Sequence, residues 1–314
     1  MQTYLVTGGA GFIGSNVVEA LVKSGACVRV LDNLSTGRRA NLAAVADSIE
    51  WHEADLRDAD AVRRAVSGVD VVLHQAAMAS VPRSVAEPLT VNEVNVTGTL
   101  HVLLAARDTG VRRVVIASSS SVYGNSPTLP KVETMAVEPL SPYAVGKLAA
   151  ERYCQAFSEV YGLPTMGLRY FNVFGPRQDP NSEYAAVIPR FLTAMLRGEA
   201  PTIYGDGQQS RDFTYVDDVV QANLLAANAP ADVSGYYNVA CGSRISLLDL
   251  VDTLNACLGT HLTARHEPPR VGDVRDSQAD IGKIQAALGF APQVSFAEGL
   301  ARTVAYFRDQ PAAA

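Results

Sequence analysis

Clusters of lysine and arginine are missing from this chain: 26 basic residues are scattered among 32 acidic ones, and the formal net charge is −6. Nucleic-acid surfaces need concentrated positive charge to meet phosphate backbones. Arg38-Arg39 and Arg112-Arg113 are pairs, not patches, so no nucleic-acid partner is expected. Cysteine is sparse, and Cys27, Cys154, Cys241 and Cys257 lie far apart, three of them in apolar segments. That predicts free thiols in a reducing compartment rather than a disulfide framework. No apolar run is long enough to cross a bilayer, and the first strand begins too soon to leave room for a signal peptide. The expectation is a cytoplasmic protein with no membrane partner. Metal ligands are also short: His261, His266 and Glu267 have a spacing that suits neither one helical face nor a zinc site, so no metal is expected. The single tryptophan, Trp51, falls in a strand-like run and is expected in the core. What is abundant is apolar: 48% hydrophobic against 18% charged residues, enough for a large core and, at 314 residues, for two lobes.

The run Val6-Thr7-Gly8-Gly9-Ala10-Gly11-Phe12-Ile13-Gly14 follows apolar Tyr4-Leu5 and precedes a helical pattern. Three glycines there serve a tight turn at Gly8, close approach of a pyrophosphate at Gly11, and helix-to-sheet packing at Gly14. A diphosphate would rest on the new helix N-terminus, where free N–H groups and the dipole favour anions. Asp32 closes the next apolar run, Cys27–Leu31, where an acidic side chain is expected to hold ribose hydroxyls. It favours NAD over NADP, whose extra phosphate it would repel.

Strand-like runs at Leu5–Val6, Cys27–Leu31, Ile49–Glu53, Val69–His74, Val114–Ala117 and Thr165–Leu168 alternate with helical patterns at Asn16–Lys23, Ala59–Val66, Val96–Asp108 and Tyr143–Tyr161. Such alternation predicts an α/β fold: a doubly wound parallel Rossmann sheet. After Arg169 proline and glycine become frequent around one helical segment, Ala186–Arg197, which predicts a smaller C-terminal α/β lobe for substrate. The helical pattern Asp217–Asn228 and the strand-like Tyr236–Ala240 suggest a return to the first sheet. The expected division is therefore 1–169, with 213–240 returning to it, for the cofactor, and 170–212 with 241–314 for the substrate.

Tyr143 and Lys147 stand four apart at the start of a helical segment, so both project from one face. A tyrosine, ordinarily with a pKa of about 10, must be brought to about 7 to work as phenolate, a cost of about 4 kcal/mol. A neighbouring ammonium and an oxidised nicotinamide both act in that direction. Ser118-Ser119-Ser120-Ser121 follows the strand-like Val114–Ala117 and so lies at the carboxyl edge of the sheet, where open α/β folds bind ligands. A hydroxyl there can hydrogen-bond an alcohol undergoing oxidation.

These motifs, with Asp32-Asn33-Leu34-Ser35-Thr36-Gly37, His74-Gln75-Ala76-Ala77, Leu168–Gly175 and Arg211-Asp212-Phe213 in order, resemble the extended short-chain dehydrogenase/reductases, and within them the nucleotide-sugar 4-epimerases. The resemblance covers nearly the whole chain. It implies that NAD is held by Gly8, Gly11, Phe12, Ile13, Gly14, Asp32, Asn33, Ser35, Thr36, Gly37, Asp55, Leu56, Gln75, Ala76, Ala77, Asn95, Tyr143, Lys147 and Tyr170. It implies a catalytic set of Ser119, Tyr143 and Lys147. It further implies a UDP-sugar site formed by Ser80, Ser119, Ser120, Tyr143, Asn172, Ala186, Val187, Tyr204, Arg211, Arg270, Asp273 and Ser277.

The reaction so implied is transient oxidation at carbon 4, turnover of the ketone about the bond to the diphosphate, and return of hydride and proton to the other face. Ser277 stands where hexose-restricted members carry tyrosine. Room for an N-acetyl group follows, so UDP-N-acetylglucosamine and UDP-N-acetylgalactosamine are expected substrates, beside UDP-glucose and UDP-galactose. A UDP-glucuronate 4-epimerase is the alternative, although Asn172 replaces the threonine common there and only Arg83 or Arg177 offers a spare cation. A 4,6-dehydratase would need Asp-Glu where Ser120-Ser121 stand. A non-enzymatic NAD sensor would not need the tyrosine–lysine pair. The resemblance also implies a homodimer built on a bundle of the Val96–Asp108 and Tyr143–Tyr161 helices.

Overall fold

The computed structural model describes residues 2–180, 186–269 and 275–309. From the N-terminus, β1 (Thr3–Thr7), α1 (Phe12–Lys23), β2 (Cys27–Asp32), β3 (Ile49–Glu53), α2 (Ala59–Val66) and β4 (Val71–His74) alternate. Two short helices, α3 (Val81–Ala86) and α4 (Pro88–Asn92), lead to α5 (Gly98–Thr109), β5 (Arg113–Ser119), α6 (Pro142–Tyr161) and β6 (Thr165–Tyr170). Then come β7 (Val173–Phe174), α7 (Val187–Leu196), β8 (Thr202–Tyr204), β9 (Ser210–Arg211), β10 (Thr214–Tyr215), α8 (Val216–Asn228) and β11 (Gly235–Val239). The chain finishes with β12 (Ile245–Ser246), α9 (Leu247–Leu258), β13 (Arg265–Glu267), α10 (Gly282–Leu288) and α11 (Phe296–Arg308).

Seven strands form one parallel sheet in the order β11-β6-β5-β4-β1-β2-β3. Helices cover both faces. Val17, Val18 and Leu21 of α1 and Val219 and Ala222 of α8 pack with Val6 and Val30 on one side. On the other, Val62 of α2, Val102 and Leu103 of α5, and Ala150 and Phe157 of α6 meet Leu5, Val72 and Val114. Each fully buried aliphatic side chain contributes about 1.5–3 kcal/mol. Central strands buried on both faces explain why the sequence there reads as unbroken apolar runs rather than alternation. The order reverses between β1 and β4, and ligands in such sheets bind outside the carboxyl ends at that switch point.

α10 packs on β11 and the sheet core through Ile284, while β7, α7, β8, β10, α9 and α11 gather in a smaller body with its own core of Phe174, Phe191, Leu192, Ile203, Phe213 and Leu250. Phe213 stacks on Phe296, with ring centres 5.5 Å apart. Among the described residues no helix is long and apolar enough to cross a membrane. All four cysteines are free.

Several boundaries differ from the sequence reading. The first helix starts at Phe12, directly after Gly11, because the glycine turn feeds it without a linker. The β5 strand extends through Ser118 and Ser119, which pair with Arg169 and Tyr170. A serine-rich segment has weak strand propensity, and the pairing with β6 overrides it. Before α5 the chain makes a π turn at Glu93–Thr97. Trp51 is half-buried rather than central: it lies on the last strand of the sheet, and the Arg39 guanidinium covers its ring at 4.6 Å.

Candidate active site

A crevice of about 1240 Å³ opens at the carboxyl edge of the sheet, floored by the glycine turn and walled by the loops after β2, β3 and β4. Two glycines make this geometry possible. Gly8 has φ of +66°, and a Cβ on it would lie 2.6 Å from the Ala76 backbone. A Cβ on Gly14 would strike the Gly8 carbonyl, so a larger residue would lift α1 off the turn. No side chain caps α1, and Phe12 and Ile13 at its start face the crevice. Uncapped amides at a helix start suit an anion.

Asp32 is buried at the end of β2. One oxygen accepts from Ala10 N at 2.9 Å and the other from Leu34 N at 2.8 Å, while burial pushes the carboxyl upward against those bonds. Asp55 accepts from Arg57 and from Asn33 Nδ2 (2.8 Å), which hold it at about 2. Among the residues expected to hold the cofactor, all except Asn95 line this crevice. Asn95 is buried behind the wall, accepting from Met78 N at 2.8 Å and donating to Met78 O at 3.3 Å. It fixes the loop whose Met78 faces the crevice. These residues fit a dinucleotide: an uncapped helix start for the diphosphate, a carboxylate at the end of β2 for a ribose, and enough volume for both nucleosides.

Tyr143 and Lys147 project into the crevice from the first turns of α6, which Ser141 starts by accepting from Ala144 N at 3.2 Å. Ser119, at the end of β5, stands beside the Tyr143 side chain, and its hydroxyl favours the phenolate. Lys147 Nζ donates to the Ala117 carbonyl at 2.7 Å and stands 5.9 Å from the Tyr143 ring centre. Burial draws the ammonium down to about 8, opposed by the Glu151 carboxylate. Tyr143 moves the other way from the expectation of a phenolate drawn down by Lys147. Burial pushes its hydroxyl up, the Ser119 hydroxyl offsets only part of this, and the protein's own groups leave it protonated near neutral pH.

Sequence reasoning missed the supports of this trio. Tyr170 hydrogen-bonds Gln75 Oε1 at 3.1 Å, and Asn223 of α8 donates to the Tyr170 hydroxyl at 2.8 Å. His74 bridges Thr7 Oγ1 (2.6 Å) and Thr99 Oγ1 (3.0 Å); burial, with Lys147 nearby, drives it down to about 3. The Glu151 carboxylate accepts two bonds from Arg169, at 2.7 and 2.8 Å, in a fully enclosed ion pair. Glu151 had a visible signal, since it lies four residues past Lys147. Asn223 had none, because its contact depends on the return of α8 to the sheet.

The residues expected to bind substrate fall into separate groups. Asn172, with φ of +35°, donates to Ser277 Oγ and to the Asp212 carbonyl, each at 3.0 Å. Arg211 adjoins them on β9, its guanidinium bonded to the carbonyls of Ser210 and Arg275 at 2.9 Å. Ala186 immediately precedes α7, Val187 opens it, and Arg190 from that helix stands 5.7 Å from the ring centre of Tyr204. Ser80 caps α3 through Arg83 N, and Ser120 opens the short turn after β5. Arg270 and Asp273 lie outside the described residues. Arg83 and Arg177 line the crevice but are engaged, Arg83 with Glu87 and Arg177 with Glu19 and Asn16.

A parallel Rossmann sheet carrying a serine at the end of β5 and a tyrosine and lysine one turn apart on the following helix defines an extended short-chain dehydrogenase/reductase. The chain belongs to the NAD dependent epimerase/dehydratase family, whose sequence profile matches residues 4–240. It is 43% identical over 310 residues, 98% of each chain, to a UDP-glucose 4-epimerase of Mycolicibacterium smegmatis. A UDP-N-acetylglucosamine 4-epimerase from Methanobrevibacter ruminantium, solved with UDP-N-acetylmuramic acid, superposes with a TM-score of 0.95 at 43% identity over 99% of both chains. A Thermus thermophilus UDP-glucose 4-epimerase solved with NAD gives a TM-score of 0.89 at 39% identity, covering 98% of this chain and 99% of its own.

Proposed function

We propose that this chain is an NAD-dependent 4-epimerase of UDP-hexoses, acting on UDP-N-acetylglucosamine and UDP-N-acetylgalactosamine and also on UDP-glucose and UDP-galactose. The observation that carries the reading is the placing of Tyr143 and Lys147 in the wall of the dinucleotide crevice, with Ser119 beside Tyr143. NAD held between the glycine turn, Asp32 and Tyr170 supplies a hydride acceptor that returns what it takes. Tyr143, which the protein's own groups leave protonated, would become phenolate under the added positive charge of an oxidised nicotinamide; it then removes the proton of the sugar 4-hydroxyl while Ser119 hydrogen-bonds the same oxygen. Carbon 4 becomes a ketone as it gives up hydride. The hexose then turns about its bond to the diphosphate, while Arg211, with Arg270, keeps the nucleotide in place. Hydride returns to the opposite face and Tyr143 gives the proton back, which inverts carbon 4.

In this reading residues 1–169 and 213–240 form the NAD-binding half, and 170–212 with 241–314 the nucleotide-sugar half. Ser277 leaves room for the 2-N-acetyl group beside Asn172. The engagement of Arg83 and Arg177 with carboxylates argues against a dedicated glucuronate site. We also read the chain as a cytoplasmic homodimer. Val145, Tyr153 and Val160 leave an apolar stripe on the outer face of α6, with Val85 and Leu89 exposed on the neighbouring α3 and α4. Incubation of purified protein with UDP-N-acetylglucosamine and no added cofactor is expected to yield UDP-N-acetylgalactosamine. No conversion of this substrate or of UDP-glucose would refute the assignment.

A further inference from the structure

Beneath the reactive side chains lies a buried charge that the chemistry above does not use. Glu151 sits one helical turn beyond Lys147 on α6, with no exposed surface. Its carboxylate accepts from Arg169 Nε (2.8 Å) and Nη2 (2.7 Å) and from Ser118 Oγ (2.6 Å). Ser118 immediately precedes Ser119 at the end of β5, and Arg169 immediately precedes Tyr170 at the end of β6. Arg169 Nη1 continues the chain of bonds to the Tyr123 hydroxyl (2.9 Å), which donates to Asn238 Oδ1 (2.7 Å) on β11. One carboxylate thus ties the helix bearing Tyr143 and Lys147 to the strand ends bearing Ser119 and Tyr170.

We propose that Glu151 is the positioning residue of the reactive trio: it sets the helix against the two strand ends, and its negative charge holds the Lys147 ammonium. The inference rests on the reading of Ser119, Tyr143 and Lys147 given above. Fold stability alone does not require such a pair, since apolar side chains of similar volume often serve as well or better than a buried salt bridge. Burial draws Lys147 downward and the Glu151 charge opposes it. Residues four apart on a helix are neighbours, close enough for a carboxylate to favour an ammonium.

The other groups around Lys147 do not supply that charge. On α6 itself Tyr143 and Cys154 are both pushed up by burial, and His74 on β4 is neutral. From β6 come the cation Arg169 and the buried Tyr170, and from the turn after β5 comes Tyr123. Farther along the packed elements, Arg83 pairs with Glu87, Glu93 with Arg57, and Arg107 with Asp108. His101 bonds the Leu56 carbonyl, and Arg113, at the opposite end of β5, donates to the carbonyls of Val233, Ala229 and Pro230.

The test is the pH profile of kcat for UDP-sugar epimerisation in Glu151→Gln and in the double variant Glu151→Gln with Arg169→Met, alongside Tyr143→Phe. The single variant strands a buried guanidinium and is the one at risk of misfolding; the double removes both charges together. With the carboxylate gone, Lys147 releases its proton at lower pH. In Glu151→Gln the alkaline limb of kcat should therefore move down by about one pH unit, and in the double variant, where the opposing Arg169 cation is also gone, by less but in the same direction, with bound NAD and KM kept near the parent values. A folded Glu151→Gln or double variant with the parent's alkaline limb overturns the role of Glu151. If Tyr143→Phe turns over at the parent rate, the reading of the trio itself falls, whatever the Glu151 variants do.

Discussion

The Asn172 amide donates to the Ser277 hydroxyl, and so a larger side chain at 277 would act both on that amide and on the space beside it. Ser277→Tyr is expected to reduce kcat/KM for UDP-N-acetylglucosamine by about 100-fold while UDP-glucose turnover stays within a few fold, because a filled pocket penalises the bulkier sugar selectively. Equal losses on both sugars, measured side by side, would show that position 277 does not sense the substituent on carbon 2. At this scale the sequence was informative where spacing carries chemistry. Tyr143 and Lys147 four apart on a helix announce a shared face, and the structure places both in the crevice. Their protonation was less legible, because the balance between burial and charge depends on every neighbour: Glu151 on the same helix, but also Ser119 and the burying surfaces brought in by other elements.

Between β1, β4 and α5, His74 serves as a neutral clamp bonded to Thr7 and Thr99. Burial lowers it from 6.5 to about 3, so between those values the unfolded chain binds a proton that the folded chain refuses. Stability from this group is fully present above pH 6.5 and is lost as the pH falls through that window, by about 2 kcal/mol from pH 7 to pH 5. Urea unfolding of His74→Gln should show a lower stability at pH 7 but a correspondingly flatter acid slope than the parent; an unchanged slope would assign the acid sensitivity elsewhere. Elements were readable from sequence wherever periodicity is strong, as in α2 and the buried strands. The serines ending β5 and the short helices α3 and α4 were not, because pairing with β6 and packing on α6 stabilise them rather than local propensity.

Segments far apart in the chain are joined through buried polar contacts as well as packing. Asp212, enclosed and pushed up to about 6 by burial, accepts from the amides of Cys241, Gly242 and Ala279, and so locks the segment after β11 to the segment beside Ser277. The motif Arg211-Asp212-Phe213 was visible in sequence, but the partners of Asp212 arrive from 29 to 67 residues away and carry no local signal. On the outer surface Val160 is 71% and Leu89 79% exposed. Light scattering should find a dimer in the parent and a shift toward monomer in Val160→Glu, since a charge placed in an apolar contact is costly to desolvate; a parent that is monomeric at micromolar concentration would refute the proposed bundle. For the chemistry of the whole molecule, the most direct measurement is to supply UDP-N-acetylglucosamine labelled with deuterium at carbon 4, in ordinary water and without added cofactor, and to follow the label by mass spectrometry. Hydride removed and returned within one site predicts UDP-N-acetylgalactosamine that keeps deuterium on carbon 4. Loss of the label to solvent would contradict transient oxidation and replace it with proton exchange.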